Sequence, residues 1–164
     1  MEYGCIGEKL SHSFSKIIHA RLADYDYELC EIPRGELDSF MKKADFKAIN
    51  VTIPYKQAVI PYLYYISDTA KKIGAVNTVV NKNGKLYGYN TDFSGLHALL
   101  VRQRADLKGG KVLILGSGGT SKTAAAVAED LGAKEIYRVS RSGSDGAITY
   151  DEAYKKHGDT TAII

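Results

Sequence analysis

Short apolar runs alternate with stretches of helical spacing along this chain. Residues 2–7 and 27–32 are β-branched or aromatic, and 15–23 between them sets Ile17, Ile18 and Leu22 at helical intervals. That order reads as a βαβ unit. A second helix is predicted over 35–43, with Leu37, Phe40 and Met41 on one face, then a strand over 47–53 halted by Pro54. Helices over 56–66 and 69–73 follow. Strands over 76–81 and 85–89 make a hairpin turned at Asn83 and Gly84, residues that suit left-handed turn positions. Asn90, Thr91 and Asp92 then stand as the cap of a helix running from Phe93 to about Arg104, which buries Leu96, Leu99 and Leu100.

Beyond a polar stretch at 106–110, residues 111–115 form a continuous apolar run of the kind found in central parallel strands. An alanine-rich helix over 118–131, a strand over 135–139, a helix over 151–157 and the start of a third strand over 160–164 complete a βαβαβ pattern. The expected fold class is therefore α/β: an N-terminal α/β substrate-binding domain over 1–92, a connecting helix and linker over 93–110, and the first half of a Rossmann-type nucleotide-binding domain over 111–164. The pattern stops where the second half of such a domain is expected to begin.

Composition narrows the function classes. At 164 residues and 45% hydrophobic the chain can bury a core in one domain or two small ones. Its net charge of +3 is spread without a basic block, which argues against nucleic acid as a partner and leaves small anionic ligands open. Cys5 and Cys30 lie in separate apolar runs and read as reduced core residues. His12, His19, His97 and His157 share no metal spacing, so no metal site is assigned. With no signal peptide or bilayer-length apolar stretch, a cytoplasmic enzyme is expected, as monomer or homodimer.

The candidate chemistry gathers in two places. The turn Gly116, Ser117, Gly118, Gly119, Thr120 follows an apolar strand and opens a helix, so its backbone N–H groups and the helix dipole can receive a pyrophosphate. Ser121 replaces the third glycine of the usual fingerprint. About two dozen residues on, where an NAD-selecting fold carries an acid, stand Ser140, Arg141 and Ser142. A cation between two hydroxyls suits a 2′-phosphate, so NADP is favoured over NAD.

Upstream, Lys56 closes INVTIPYK and Asp92 closes YNTD, an ammonium and a carboxylate able to handle a proton during hydride transfer at an alcohol. Ser13 and Ser15 supply hydroxyls at the start of the first helix, fit either for a ligand carboxylate or for capping. Asn77 places an amide in an otherwise apolar run, where it serves a ligand or the fold.

SHSFSK, INVTIPYK, GAVNT, YNTD, GSGGTSK and the SRS turn occur in the order and approximate spacing of the shikimate dehydrogenase family, which the chain resembles over its whole length. The resemblance implies NADP-dependent, reversible reduction of 3-dehydroshikimate to shikimate in the pathway to chorismate and the aromatic amino acids. It implies that Ser13 and Ser15 hold the substrate carboxylate and that Thr52, Asn77 and Asp92 bind ring hydroxyls. Lys56 and Asp92 form its catalytic pair. Asn50 supports the strand end.

The resemblance is imperfect at Thr120-Ser121-Lys122, where alanine and arginine are common, and at Ser140-Arg141-Ser142, where the family has Asn-Arg-Thr. Members also continue well past this length, and a glutamine and a tyrosine from that segment complete their substrate site. Little turnover is accordingly expected from the 164 residues alone. Quinate/shikimate dehydrogenase, or a non-catalytic module that binds shikimate or nucleotide, are the alternatives.

Overall fold

The computed structural model describes residues 1–164 and divides into two compact units, Met1–Asn90 and Thr91–Ile164. The first contains β1 (Tyr3–Gly7), α1 (Ser15–Leu22), β2 (Glu28–Glu31), α2 (Leu37–Lys43), β3 (Ala48–Val51), β4 (Tyr65–Ile66), α3 (Asp68–Ile73), β5 (Thr78–Lys82) and β6 (Lys85–Tyr89). They build a mixed sheet of order β2-β1-β3-β5-β6-β4. β1 pairs in parallel with β2 and β3, which makes the expected βαβ unit, while β3, β5 and β6 are antiparallel. Asn83 and Gly84 both take positive φ, 53° and 82°, as the hairpin turn requires.

Register decides which residues are core. Ile6 pairs with Val51 and Ile49 with Val79, so these four share one face, where they pack with Met41 and Leu37 of α2 and Ala70 of α3. The period of two turns the intervening residues to the opposite face. There Cys5 pairs with Leu29 and with Asn50, and Asn50 pairs with Thr78. One face of the sheet is thus apolar and sealed, and the other carries a polar row at its centre.

The helix expected over 56–66 does not form. Residues 53–59 run as successive turns, a single 3-10 turn spans Ile60–Tyr62, and Tyr65–Ile66 joins the sheet beside β6. Pro61 explains this: it has no N–H to give to the carbonyl of Gln57, and its ring would crowd that carbonyl in a continuous helix. The aromatic and β-branched run 64–66 then gains more from pairing. Lys56 therefore lies in a turn, not at the N-terminus of a helix.

α1 also differs from an ordinary packed helix, for it buries none of its residues; Ile17, Ile18 and Leu22 are all more than half exposed. Close packing is tightest at Gly4, where an added Cβ would sit 2.5 Å from the Glu28 carbonyl oxygen, a backbone atom held in the β1–β2 ladder. Gly4→Ala should therefore cost about 1–3 kcal/mol of stability, read from the urea midpoint at unchanged slope.

The second unit contains α4 (Thr91–Arg102), β7 (Lys111–Leu115), α5 (Gly119–Asp130), β8 (Glu135–Ser140), β9 (Ile148–Thr149), α6 (Tyr150–Lys156) and β10 (Ala162–Ile163). α4 starts two residues earlier than expected and takes Asp92 into its first turn, where a negative charge suits the dipole. Leu96 and Leu100 pack inward, but Leu99 is 52% exposed, contrary to expectation.

Its sheet is all parallel, in the order β10-β7-β8-β9. Val112 and Ile114 pack with Ala124 and Ala128 of α5 on one face, and Leu113 and Val139 with Ala153 of α6 on the other. Both faces are covered, as in a doubly wound fold. The short β9, third in chain order, forms the sheet edge beside β8, so β10 is the fourth strand and not the third. It returns to the far side of β7, and the strand order reverses there. No helix is long and apolar enough to cross a membrane.

Candidate active site

In the first unit, backbone bonds knit together the segments that carry the candidate residues. Thr52 N–H donates to Ile6 O (2.9 Å), and Tyr55 N–H to Thr52 O (2.9 Å). Val76 N–H donates to the carbonyl of Lys56 (2.7 Å), which fixes the backbone of the lysine next to the segment bearing Asn77. Asn77 is itself pinned on both sides, donating to Tyr89 O (3.0 Å) and accepting from Val51 N–H (2.8 Å), and it is buried. Thr52, Lys56 and Asn77 thus belong to one hydrogen-bonded patch beyond the ends of β1 and β3.

The serine loop reaches the same face. Leu10 N–H donates to Glu31 Oε1 (2.6 Å), Ser13 N–H to Leu10 O (2.9 Å), and Ser15 N–H to Ser13 Oγ (3.3 Å), so the two serines bend around each other at the start of α1. Neither serine is fully exposed. His19 of α1 stacks on Tyr27, with ring centroids 3.8 Å apart and planes 13° from parallel, and its Nδ1 meets the Tyr25 hydroxyl.

Tyr27, which the sequence did not single out, lies at the centre of this arrangement. Its hydroxyl donates to Asn50 Oδ1 (2.6 Å); Asn50 Nδ2 donates to Thr78 Oγ1 (3.3 Å); the Thr78 hydroxyl donates to Asn77 Oδ1 (3.1 Å). Burial, then the Cys5 thiol, pushes the Tyr27 phenol well above its ordinary range, and the nearby Ser15 hydroxyl offsets part of that rise. Cys5 is likewise raised by burial, with the Lys56 ammonium acting in the opposite direction. Ser15, Asn77 and Lys56 are therefore neighbours of one polar row on the face away from the core. The available signal was Asn50, a polar residue between Ile49 and Val51 that strand alternation must turn away from the apolar face.

The second unit holds the remaining candidates. Asp92 is half-buried in the first turn of α4. Gly116 takes φ +149°, a conformation side-chain-bearing residues rarely adopt, and its N–H donates to Val139 O (2.9 Å), drawing the turn across the ends of β7 and β8. Gly118 caps α5 in extended conformation, with Gly119 and Thr120 in the first turn. Nothing lies within 4 Å of a Cβ built on Gly118, so protein packing alone does not call for glycine there. Ser121 is buried and its hydroxyl donates to Gly118 O (2.6 Å), so the replaced glycine costs no unpaired polar group. Ser140 ends β8 and its Oγ accepts from Gly143 N–H (3.1 Å), while Arg141 and Ser142 are exposed in the turn beyond.

Residues 5–79 match the family described as shikimate dehydrogenase substrate binding domain. The NADP(+) shikimate dehydrogenase of Clostridium beijerinckii is 44% identical over 158 residues, which cover 92% of this chain and 58% of that protein. Shikimate dehydrogenase 1 of Peptoclostridium difficile superposes with a TM-score of 0.81 at 36% identity, covering 99% of this chain and 61% of the other. The shikimate 5-dehydrogenase of Thermus thermophilus, solved with NADP(H) and shikimate, gives 0.80 at 28% identity, covering 94% and 65%. The chain spans about three-fifths of the length of these relatives.

Proposed function

We propose, from the premise that this chain belongs to the shikimate dehydrogenase family, that its activity is the NADP-dependent, reversible reduction of 3-dehydroshikimate to shikimate. The observation that carries the reading is the gathering of Ser15, Asn77 and Lys56 about the Tyr27–Asn50–Thr78 row. Hydroxyls, an amide and an ammonium on one sheet face suit a ligand that is small, anionic and rich in hydroxyls, and they suit little else. Substrate binding is assigned to residues 1–92, nucleotide binding to 111–164, and the linking role to 93–110.

Ser13 and Ser15 hold the ring carboxylate, and Thr52, Asn77 and Asp92 bind ring hydroxyls. Bound NADPH supplies the hydride. Lys56 stabilises the alkoxide developing at the carbonyl oxygen and protonates it, and Asp92 orients the group that reacts. In the opposite direction the same lysine takes up the hydroxyl proton as the hydride leaves.

The pyrophosphate is received at Gly116, Ser117, Gly118, Gly119 and Thr120, and the bare space over Gly118 supports such close approach. Ser140, Arg141 and Ser142 take the 2′-phosphate. The free thiols Cys5 and Cys30 fit the reducing cytoplasm. Calorimetric titration of the chain with shikimate, quinate, NADP and NAD tests this. Binding of shikimate and NADP is expected; preference for quinate would move the substrate, and failure of both ligands to bind would reject the reading.

A further inference from the structure

The polar row on the face of the first sheet away from its main core has a direction. A carboxamide oxygen only accepts and a carboxamide nitrogen only donates, so each link is committed. Tyr27 spends its single proton on Asn50 Oδ1, and that turns Asn50 Nδ2 to Thr78. Thr78, having accepted, gives its own proton to Asn77 Oδ1. The oxygen of Asn77 is thereby held toward the sheet and its NH2 group is directed the other way. Without the phenol proton the row can invert: Asn50 turns over, Thr78 donates back to it, and Asn77 turns its nitrogen inward and its oxygen out.

We infer that Tyr27 is a positioning residue which, through Asn50 and Thr78, sets the Asn77 side chain to act toward a ligand as a hydrogen-bond donor. A donor addresses a lone pair on oxygen and is indifferent to whether that oxygen carries a proton, so Asn77 can hold a ring oxygen without competing for its hydrogen. The ring of Tyr27 is kept in place by the stacked His19, and its hydroxyl lies beside Ser15, so the same phenol links the hydroxyl-binding amide to the serine end of the site. The inference deepens the proposed function and rests on shikimate lying over Asn77.

The test is a mutant cycle on the 164-residue chain, read by calorimetry with shikimate. Tyr27→Phe and Thr78→Val should each weaken binding about tenfold, and Thr78→Ser, which keeps the hydroxyl, by less than about twofold. In an Asn77→Ala background Tyr27→Phe should change affinity by less than about twofold, because the group it positions is gone. Equal damage from Tyr27→Phe in both backgrounds, or none in either, overturns the inference. A second readout needs no ligand: the Asn77 side-chain amide proton resonances should move in Tyr27→Phe. If the wild-type chain binds neither shikimate nor NADP, the proposed function falls, while unmoved Asn77 resonances overturn the relay whether or not shikimate binds.

Discussion

Lys56→Ala is expected to lower kcat for shikimate oxidation by about 10²–10⁴-fold in active protein carrying this sequence, with KM changed by less than about tenfold. The split follows from where the ammonium acts. On the proposed assignment ground-state affinity is spread over Ser13, Ser15, Thr52 and Asn77, so removing one of several contacts should change KM modestly. Negative charge on the reacting oxygen exists only near the transition state, and the lysine is the group assigned to meet it. Its backbone is fixed by Val76 N–H to the Lys56 carbonyl, a bond the substitution leaves intact, so the loss should come from the side chain and not from a displaced loop. Stopped-flow hydride transfer measured beside steady-state turnover checks the assignment. Unchanged kcat with raised KM would make Lys56 a binding residue and leave the proton to another group.

Much of the fold was legible because this chain keeps its periods clean. The alternation of Ile49, Asn50 and Val51 marks a strand with one apolar face, and the strand's pairing with Val79 and Thr78 repeats that division. The glycine turn was legible for a similar reason, since an apolar strand, a tight turn and an alanine-rich helix all point to one local structure. Residues 56–66 carry apolar side chains at helical spacing, but Pro61 outweighs that spacing and turns replace the helix. β9 escaped notice because two residues carry no period. Yet that short strand, the third in chain order, forms the sheet edge beside β8 and makes β10 the fourth. Tyr27 was invisible for another reason: its partner is Asn50, which in turn bonds Thr78, and only the pairings of β2 with β1, β1 with β3 and β3 with β5 bring those residues into one row. Single-residue chemistry can be read along a chain, whereas a relay across three strands needs the register first.

Arg141→Asp should weaken NADP by about 10–100-fold while leaving NAD affinity within about threefold, so that the preference between them narrows or reverses. The expectation rests on charge and place. Arg141 directly follows the last residue of β8, the strand beside the one that leads into the glycine turn, and it is exposed to whatever lies at that edge. A guanidinium there can give two parallel hydrogen bonds to a 2′-phosphate, and an aspartate at the same point would repel the phosphate and accept from a bare ribose hydroxyl instead. Ser142 shares its hydroxyl with Ser144 (2.8 Å) and Ser140 accepts from Gly143 N–H, so the turn has supports of its own and should survive the change at 141. Lys at the same position keeps the charge but loses the fork, and an intermediate loss of NADP affinity is expected from Arg141→Lys. Affinities for NADP and NAD measured on all three proteins, with shikimate affinity as the control for folding, decide the matter. An NADP-to-NAD ratio that does not move with the charge at 141 would return the arginine to the status of an exposed loop residue and leave cofactor choice to other parts of the protein.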